Sequence, residues 1–123
     1  MTNDCIFCQK LAPSIETFAH CYAIWDQFPV SPGHLLIIPH EHTPDWFTAS
    51  DVIRQDMLQA LLSLKTQLDK SHKPSGYNIG ANCGTSAGQT IFHLHLHLIP
   101  RYDGDTPYPR GGVRGVIPTK QSY

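Results

Sequence analysis

The sequence HLHLHLIPR at positions 93–101 alternates histidine with leucine through three repeats. In a β-strand successive side chains point to opposite faces, so the three histidines would share one face and the leucines the other. We therefore expect a strand with one face in the core and three imidazoles on the opposite face. Three histidines in a row beside leucines suit a functional site better than an ordinary solvated strand face.

An amphipathic helix is predicted in the middle of the chain, from about Asp51 to His72. Ser50 is a suitable N-cap, and Lys70 suits the negative end of the helix. Apolar residues recur there at three- and four-residue spacing, which gives one buried stripe: Ile53, Met57, Leu61, Leu64 and Leu68.

Strand-like segments lie on both sides of this helix. Three precede it, at Ile15–His20, Cys21–Asp26 and His34–Pro39, and two follow it, at Gly76–Asn82 and Gln89–Pro100. The order β-β-β-α-β-β predicts an α+β domain built on an antiparallel sheet. A length of 123 residues is enough for one domain with a core and too short for two ordinary ones.

Charge and hydropathy limit the classes of partner. Nine lysines and arginines against ten acidic residues leave no basic surplus, so we expect no nucleic-acid partner. No apolar run approaches the ~20 residues of a membrane helix, and the N-terminus lacks a signal-peptide pattern. We expect a soluble, cytoplasmic protein, in which Cys5-x-x-Cys8 indicates metal or redox chemistry instead of a disulfide.

The histidine segment admits two kinds of chemistry. One metal ion shared by all three imidazoles is awkward, because residues four apart on a strand are ~13 Å apart and a zinc-bound nitrogen lies ~2.1 Å from the metal. The alternative is that His95 and His97 act as nucleophile and acid-base groups in a reaction at a phosphorus atom. The preceding segment offers the amide of Gln89, the hydroxyl of Thr90 and close backbone approach at Gly88, which together suit an anion site.

The segment AGQTIFHLHLHLIPR resembles the signature of the histidine triad (HIT) family, His-x-His-x-His followed by two apolar residues. CIFC near the start and SPGHLLIIPHEH in the middle stand in the order found in that family. The resemblance implies a HIT-like α+β fold with an antiparallel sheet of about five strands, one long helix and a short N-terminal helical turn. It also implies a single domain over 1–123, with a CxxC zinc segment at 1–10, an extended C-terminal tail at 102–123, and a homodimer.

The same resemblance implies a reaction. His95 would attack the α-phosphorus of a nucleotide conjugate and form a nucleotidyl-imidazole that water hydrolyses. His97 and Gln89 would hold the phosphate oxygens, and Thr90 would lie near the bridging atom. The substrate would be a dinucleoside polyphosphate or a nucleoside phosphoramidate. The alternatives are a nucleotide-binding regulatory or scaffold protein with incidental hydrolysis, and a zinc-dependent hydrolase that uses the triad as ligands.

The resemblance extends to the nucleoside and phosphate contacts. Asp26 matches a carboxylate that accepts hydrogen bonds from ribose hydroxyls, and Asn82 matches an asparagine that lines the phosphate site. His34 matches a histidine that supports the catalytic strand. Apolar side chains would contact the base, which predicts weak base specificity; the candidates are Ile6, Phe7, Ile24 and Phe28, and the alternative is that these positions belong to the core.

A structural zinc site is predicted beside the catalytic histidines. The resemblance implies that His42 and His93 complete the ligand set begun by Cys5 and Cys8, and Cys2His2 is a closed set without a position for substrate. His40 competes with His42 as the third ligand. The alternative is a pair of reduced cysteines in a short turn; a redox role is disfavoured because no βαβ pattern surrounds the motif.

The tail carries a further hypothesis. Arg101, Arg110 and Arg114 are suited to bidentate contact with distal phosphates. Since the resemblance implies that the tail approaches the partner subunit's site, it would help to select the leaving group. The alternative is three exposed arginines without a ligand.

Overall fold

The computed structural model describes residues 4–123. Its sheet has five strands, all antiparallel, in the order β1-β2-β3-β5-β4. The strands are β1 (Glu16–Thr17), β2 (Cys21–Trp25), β3 (Leu35–Pro39), β4 (Gly76–Gly80) and β5 (Leu96–Arg101). The helices are α1 (Ile6–Gln9) and α2 (Asp51–Ser71), and 3-10 turns lie at Thr85–Ala87, Gly112–Val116 and Pro118–Lys120. This α+β architecture confirms the fold class expected from the sequence.

Helix α2 confirms the prediction made from its apolar spacing. The Ser50 hydroxyl caps the helix by accepting a hydrogen bond from the Ile53 amide at 3.3 Å, which satisfies one of the free N–H groups of the first turn. The apolar stripe of the helix packs on one face of the sheet, and Met57, Leu64 and Leu68 are almost completely buried there. The helix therefore covers one face of the sheet and leaves the other for a second layer.

Alternation along β2 and β3 divides the core between the two faces of the sheet. Ala23 and Ile37 face the helix, whereas the neighbouring positions Tyr22, Ile24 and Leu36 belong to a second apolar cluster. The N-terminal segment covers part of that second cluster, mainly through Phe7, which is 6% exposed. The cleft described below lies on this second face.

The predicted histidine strand is shorter than expected. Strand β5 begins at Leu96, so His93, Leu94 and His95 lie outside it, and the expectation of three histidines on one strand face was wrong. The backbone groups of this segment bind elsewhere: the Leu94 amide donates to the Thr43 carbonyl at 2.8 Å. The three leucines of the segment are nevertheless buried. The alternation of side chains between core and cleft therefore extends beyond the hydrogen-bonded strand.

Other strand ends also differ from the predicted ones. Strand β1 has two residues where six were expected at Ile15–His20, and β4 ends at Gly80, so that Asn82 lies in the following loop. No helix within residues 4–123 combines the length and the apolar character needed to cross a membrane.

The tail after β5 folds on itself in two 3-10 turns. The Arg114 guanidinium donates to the carbonyls of Lys120 and Gln121 at 2.9 and 3.2 Å. The guanidinium carbons of Arg110 and Arg114 lie 4.7 and 5.0 Å from the centre of the Tyr123 ring, which is cation-π geometry. In this arrangement both arginines contact the tail itself.

Candidate active site and metal cluster

A cleft of about 310 Å³ lies between the N-terminal segment and the second face of the sheet. Both His95 and His97 reach its wall. Most of the other lining side chains are apolar, and they include the predicted base contacts; the lining comprises Ile6, Phe7, Lys10, Leu11, Ala12, Tyr22, Ile24, Asp26, Gln27, Phe28, Leu36 and Ile91. A mostly apolar cleft with a few convergent polar groups is the usual form of a small-ligand site.

His95 is held in one orientation by the main chain. Its Nδ1 lies 2.9 Å from the His93 carbonyl oxygen, and because a carbonyl can only accept, Nδ1 carries the proton. The ring is flanked by Phe7 at 5.1 Å and by His97 at 5.4 Å between centroids. This tautomer keeps the lone pair on Nε2, the nitrogen required for a nucleophile.

His97 is held through the buried His34. The Val30 amide donates to His34 Nδ1 at 3.1 Å, so the proton of the neutral His34 ring is on Nε2. That Nε2–H lies 2.9 Å from His97 Nδ1 and 3.3 Å from an Asp26 carboxylate oxygen. A bond from His34 to His97 leaves His97 with its own proton on Nε2, as a donor toward the cleft.

Burial favours the neutral form of both rings. It lowers the pKa of His97 to about 4, repulsion by His95 and His34 acts in the same direction, and the Asp26 carboxylate opposes the shift. Burial also lowers the pKa of His34, although the Asp26 carboxylate opposes the shift. Asp26, His34 and His97 converge closely enough to ligate a cation. The Nε2 atom that His34 would offer to a cation already carries the proton. The arrangement therefore favours a hydrogen-bonded chain of the three side chains over a metal site.

The side-chain amide of Gln89 organises the loop before the histidines. Gln89 is 4% exposed. Its Oε1 accepts from the Gly84 amide at 2.8 Å, and its Nε2 donates to the carbonyls of Pro44 and Ile91 at 2.6 and 3.1 Å. Both ends of the amide thus bind main chain, and Gln89 braces the loop in this structure instead of presenting its amide to a phosphate.

Three further predicted residues are solvent-exposed. Thr90, Asn82 and Gly88 all lie in the stretch from the end of β4 to the histidines, and none is among the described residues that line the cleft. Gly88 has a positive φ of 93°, a conformation that glycine adopts without strain. Its place at the end of the 3-10 turn explains the glycine independently of a ligand.

Four side chains converge beside the cleft as the zinc prediction required. Cys5, Cys8, His42 and His93 place their ligand atoms within 4.8 Å of one another. His93 Nδ1 lies 3.3 Å from Cys5 Sγ, 3.4 Å from Cys8 Sγ and 3.2 Å from His42 Nδ1. These separations are close to the roughly 3.4–3.8 Å between neighbouring ligand atoms of tetrahedral zinc. Two thiols and two imidazoles are also a donor set that zinc prefers.

The surroundings of His93 prepare it for ligation. Its Nε2 donates to the Pro39 carbonyl at 2.8 Å, which leaves the Nδ1 lone pair toward the cluster, as metal-binding histidines require. His40, the alternative third ligand, is engaged elsewhere: its Nε2 donates to the Phe18 carbonyl and its Nδ1 accepts from Lys10 Nζ. The four residues therefore fit a structural metal, with His42 in place of His40.

Two features of the site were not found from the sequence. The first is the main-chain carbonyl of His93, which accepts the hydrogen bond from His95. The His93 side chain, in contrast, belongs to the group of cysteines and histidines described above. The second is the Val30 amide, which sets the tautomer of His34. Neither has a sequence signal, because any residue supplies a carbonyl and any residue except proline supplies an amide.

Comparison with known proteins covers most of the chain. The model of the HIT domain matches residues 10–104. A HIT-like protein of Mycoplasma genitalium is 41% identical over an alignment of 111 positions that covers 83% of this chain and 76% of that protein. The crystal structure of a HIT family protein from Bacillus anthracis is 34% identical with a TM-score of 0.79, over 88% of this chain and 80% of the other.

Other relatives are named for a ligand or an activity. A zinc-bound histidine triad family protein from Mycobacterium smegmatis has a TM-score of 0.77 and 32% identity, over 85% of this chain and 80% of the other. The adenylylsulfatase HINT3 of Arabidopsis thaliana is 33% identical over 93% of this chain and 60% of its own length. An AP-4-A phosphorylase of Mycobacterium tuberculosis is 31% identical over 71% of this chain and 45% of its own length. With this match to the HIT domain and these similarities, the chain belongs to the histidine triad (HIT) family.

Proposed function

We propose that the protein is a nucleotide hydrolase that cleaves an α-phosphorus bond of a nucleoside 5′-phosphate conjugate through a covalent nucleotidyl-His95 intermediate. The observation that carries the proposal is the 2.9 Å contact from His95 Nδ1 to the His93 carbonyl, which keeps the Nε2 lone pair available. The relatives named as an adenylylsulfatase and an AP-4-A phosphorylase support action on nucleotides. The conjugate is a dinucleoside polyphosphate or a nucleoside phosphoramidate.

The first step exchanges one bond at phosphorus for another. The Nε2 electron pair of His95 forms a bond to the α-phosphorus, and the bond from phosphorus to the leaving group breaks with its electron pair. The leaving group departs and takes up a proton from solvent. His97 donates its Nε2–H to a phosphate oxygen, where it stabilises the developing charge. Because His97 is neutral, it donates this bond without placing a second imidazolium beside His95.

The second step restores the enzyme. Water attacks the phosphorus, the bond from phosphorus to His95 Nε2 breaks, and the nucleoside monophosphate leaves. The water loses a proton to solvent. We assign the hydroxyl of Thr90, the main chain at Gly88 and the amide of Asn82 to the phosphate side of the site. Gln89 acts as a positioning residue through its bonds to Gly84 and Pro44.

The nucleoside occupies the cleft. Asp26 lines it, with one carboxylate oxygen accepting from the Phe28 amide at 2.8 Å and the other beside His34. A carboxylate has about four acceptor positions, so Asp26 retains capacity for ribose hydroxyls. The apolar side chains of Ile24 and Phe7 cover the base.

Zinc is the proposed structural metal, held by Cys5, Cys8, His42 and His93. When bound it would tether the N-terminal segment to the sheet and add to the stability of the fold. The homodimer and the cytoplasmic location remain predictions from the sequence.

The test is hydrolysis of diadenosine polyphosphate and adenosine 5′-phosphoramidate, measured side by side with wild type, His95→Ala and His95→Gln. His20→Ala is the matched control, because His20 is exposed and does not line the cleft. We expect wild type and the control to turn over at least one substrate, and both His95 variants to lose that activity while their thermal melting stays near that of wild type. Rapid acid-free quenching and intact mass analysis should show the nucleotidyl adduct on wild type only.

Two results would contradict the proposal. If His95→Gln hydrolyses either substrate as fast as wild type, His95 is not the nucleophile. If wild type binds nucleotides tightly and turns over neither substrate, the regulatory or scaffold alternative replaces the enzyme.

A further inference from the structure

Lys10 brings a positive charge into a cleft that is otherwise mostly apolar. It follows helix α1 as its C-cap, with left-handed backbone at φ 53°. Among the described residues that line the cleft, Lys10 is the only lysine or arginine. A cation in this cleft was not expected from the sequence, which predicted apolar base contacts.

The Lys10 ammonium is held in position from two sides. Its Nζ donates to His40 Nδ1 at 2.7 Å and lies 5.1 Å from the centre of the Tyr22 ring. His40 is itself oriented, because its Nε2 donates to the Phe18 carbonyl and its ring stacks on Tyr22 at 5.6 Å. An ammonium has three N–H donors and no acceptor, so the bond to His40 leaves donors for a ligand.

Lys10 and Asp26 both line the cleft, and Lys10 lies over the ring of Tyr22, at the other end of strand β2 from Asp26. Tyr22, beneath Lys10, and Asp26 are separated by four residues along and just beyond β2, which is ~13 Å in extended chain. If Asp26 binds the ribose, as the proposed function on which this step rests requires, the base extends over Ile24 toward Lys10. The ammonium then faces an edge of the base.

Hydrogen-bond chemistry decides which base edge suits an ammonium. Guanine and hypoxanthine present two adjacent acceptors, O6 and N7, whereas adenine presents N7 beside the N6 amino group, which is a donor. An ammonium, which only donates, is complementary to the O6 and N7 edge of guanine and hypoxanthine. The N6 amino group of adenine, which is also a donor, opposes it. We infer that Lys10 is a specificity-determining residue that makes the cleft favour 6-oxopurine nucleotides over adenine nucleotides. This replaces the weak base specificity expected from the sequence.

The test compares guanosine, inosine and adenosine 5′-phosphoramidates as substrates. For wild type we expect kcat/KM to be about fivefold or more higher for guanosine and inosine than for adenosine, mainly through KM, since a base contact is made equally in ground and transition states. Inosine should match guanosine because it has the same O6 and N7 and lacks the 2-amino group. Lys10→Met should bring the three values within about twofold of one another, and Lys10→Arg should retain the preference.

Lys73→Met is the matched control. Lys73 also has a positive φ, 52° against 53° for Lys10, and it is not among the described residues that line the cleft. Replacing it makes the same chemical change in the same backbone conformation, so the control should keep the base preference of wild type.

Binding of GMP, IMP and AMP by calorimetry separates this inference from the proposed function. If wild type hydrolyses all three substrates equally, or Lys10→Met keeps the preference, Lys10 does not read the base and the inference fails while the hydrolase stands. A uniform loss over all three substrates in Lys10→Met would place the ammonium on the phosphates, which also overturns it. If nothing is hydrolysed but GMP and IMP bind more tightly than AMP only when Lys10 is present, the base contact stands and the hydrolase fails.

Discussion

Acidification should destabilise the fold through His97. In the unfolded chain this imidazole takes up a proton near its ordinary pKa of 6.5, whereas burial and the neighbouring histidines lower the pKa in the folded protein to about 4. Between these values the unfolded state binds more protons than the folded state, so protonation favours unfolding. The stability associated with neutral His97 is therefore complete above about pH 6.5 and is lost as the pH falls toward about 4.

The size of the effect follows from the two pKa values. A pKa difference of one unit corresponds to about 1.4 kcal/mol. The free energy of unfolding should therefore fall by about 3 kcal/mol over the whole range between the two pKa values, and by about 2 kcal/mol between about pH 6.5 and about pH 4.5. The His97 side chain is 23% exposed, so screening by solvent is limited and the figure keeps its order of magnitude.

Urea unfolding of wild type and His97→Gln across this pH range measures the effect. Glutamine does not titrate, and its side-chain oxygen can accept the bond from His34. The cysteine and histidine cluster is present in both proteins, so its own sensitivity to acid cancels in the difference. Wild type should lose about 2 kcal/mol more than the variant between about pH 6.5 and about pH 4.5. Parallel curves would show that folded His97 titrates normally and would refute the argument that it is held neutral.

Four other changes test the fold and the metal cluster. Cys8→Ser should lower the zinc content of purified protein well below that of wild type and reduce its melting temperature, because a hydroxyl is a poor zinc ligand; equal zinc content would contradict the assignment. Leu64→Ala, at a position 1% exposed, should cost about 2–5 kcal/mol in urea unfolding, and a loss well below that range would place Leu64 outside the core. Ser50→Ala should cost about 1 kcal/mol by the same assay through loss of the helix cap. Gly111→Ala would place a Cβ 1.9 Å from the Gln121 carbonyl oxygen at a φ of 91°, so limited proteolysis should cut the tail faster than in wild type; an unchanged rate would mean that the tail contacts are unimportant.

The elements that local sequence specifies were the predictable ones. Helix α2 was found because its apolar spacing and its Ser50 cap are both short-range signals, and its C-terminal end was misplaced by only one residue. Strand β3 was found for a similar reason, as an apolar run stopped by proline. The convergence of the two cysteines with His42 and His93 was predicted through the resemblance, because the spacing of Cys5 and Cys8 gives only half of a ligand set.

The errors arose where long-range contacts decide the structure. The alternation of histidine and leucine predicted a strand through His93 and His95, but the amide of Leu94 binds the carbonyl of Thr43 in a distant loop, and the strand begins only at Leu96. The contacts of Gln89 were missed for the same reason, because its side-chain amide binds Gly84 and main chain from a distant loop. Contacts of this kind depend on the whole fold and leave no periodic pattern in the sequence.

The two roles of residue 93 affect how mutagenesis of the triad should be interpreted. Its imidazole belongs to the cluster of cysteines and histidines that could hold a metal, whereas the atom that orients the nucleophile candidate is its carbonyl oxygen. That oxygen persists in every variant, so His93→Ala removes a candidate metal ligand and leaves the partner of His95 Nδ1 chemically intact. A loss of activity in that variant would therefore report displacement of the main chain and not loss of a reacting group. Only a backbone change, such as an ester in place of the amide that follows residue 93, would weaken the acceptor itself.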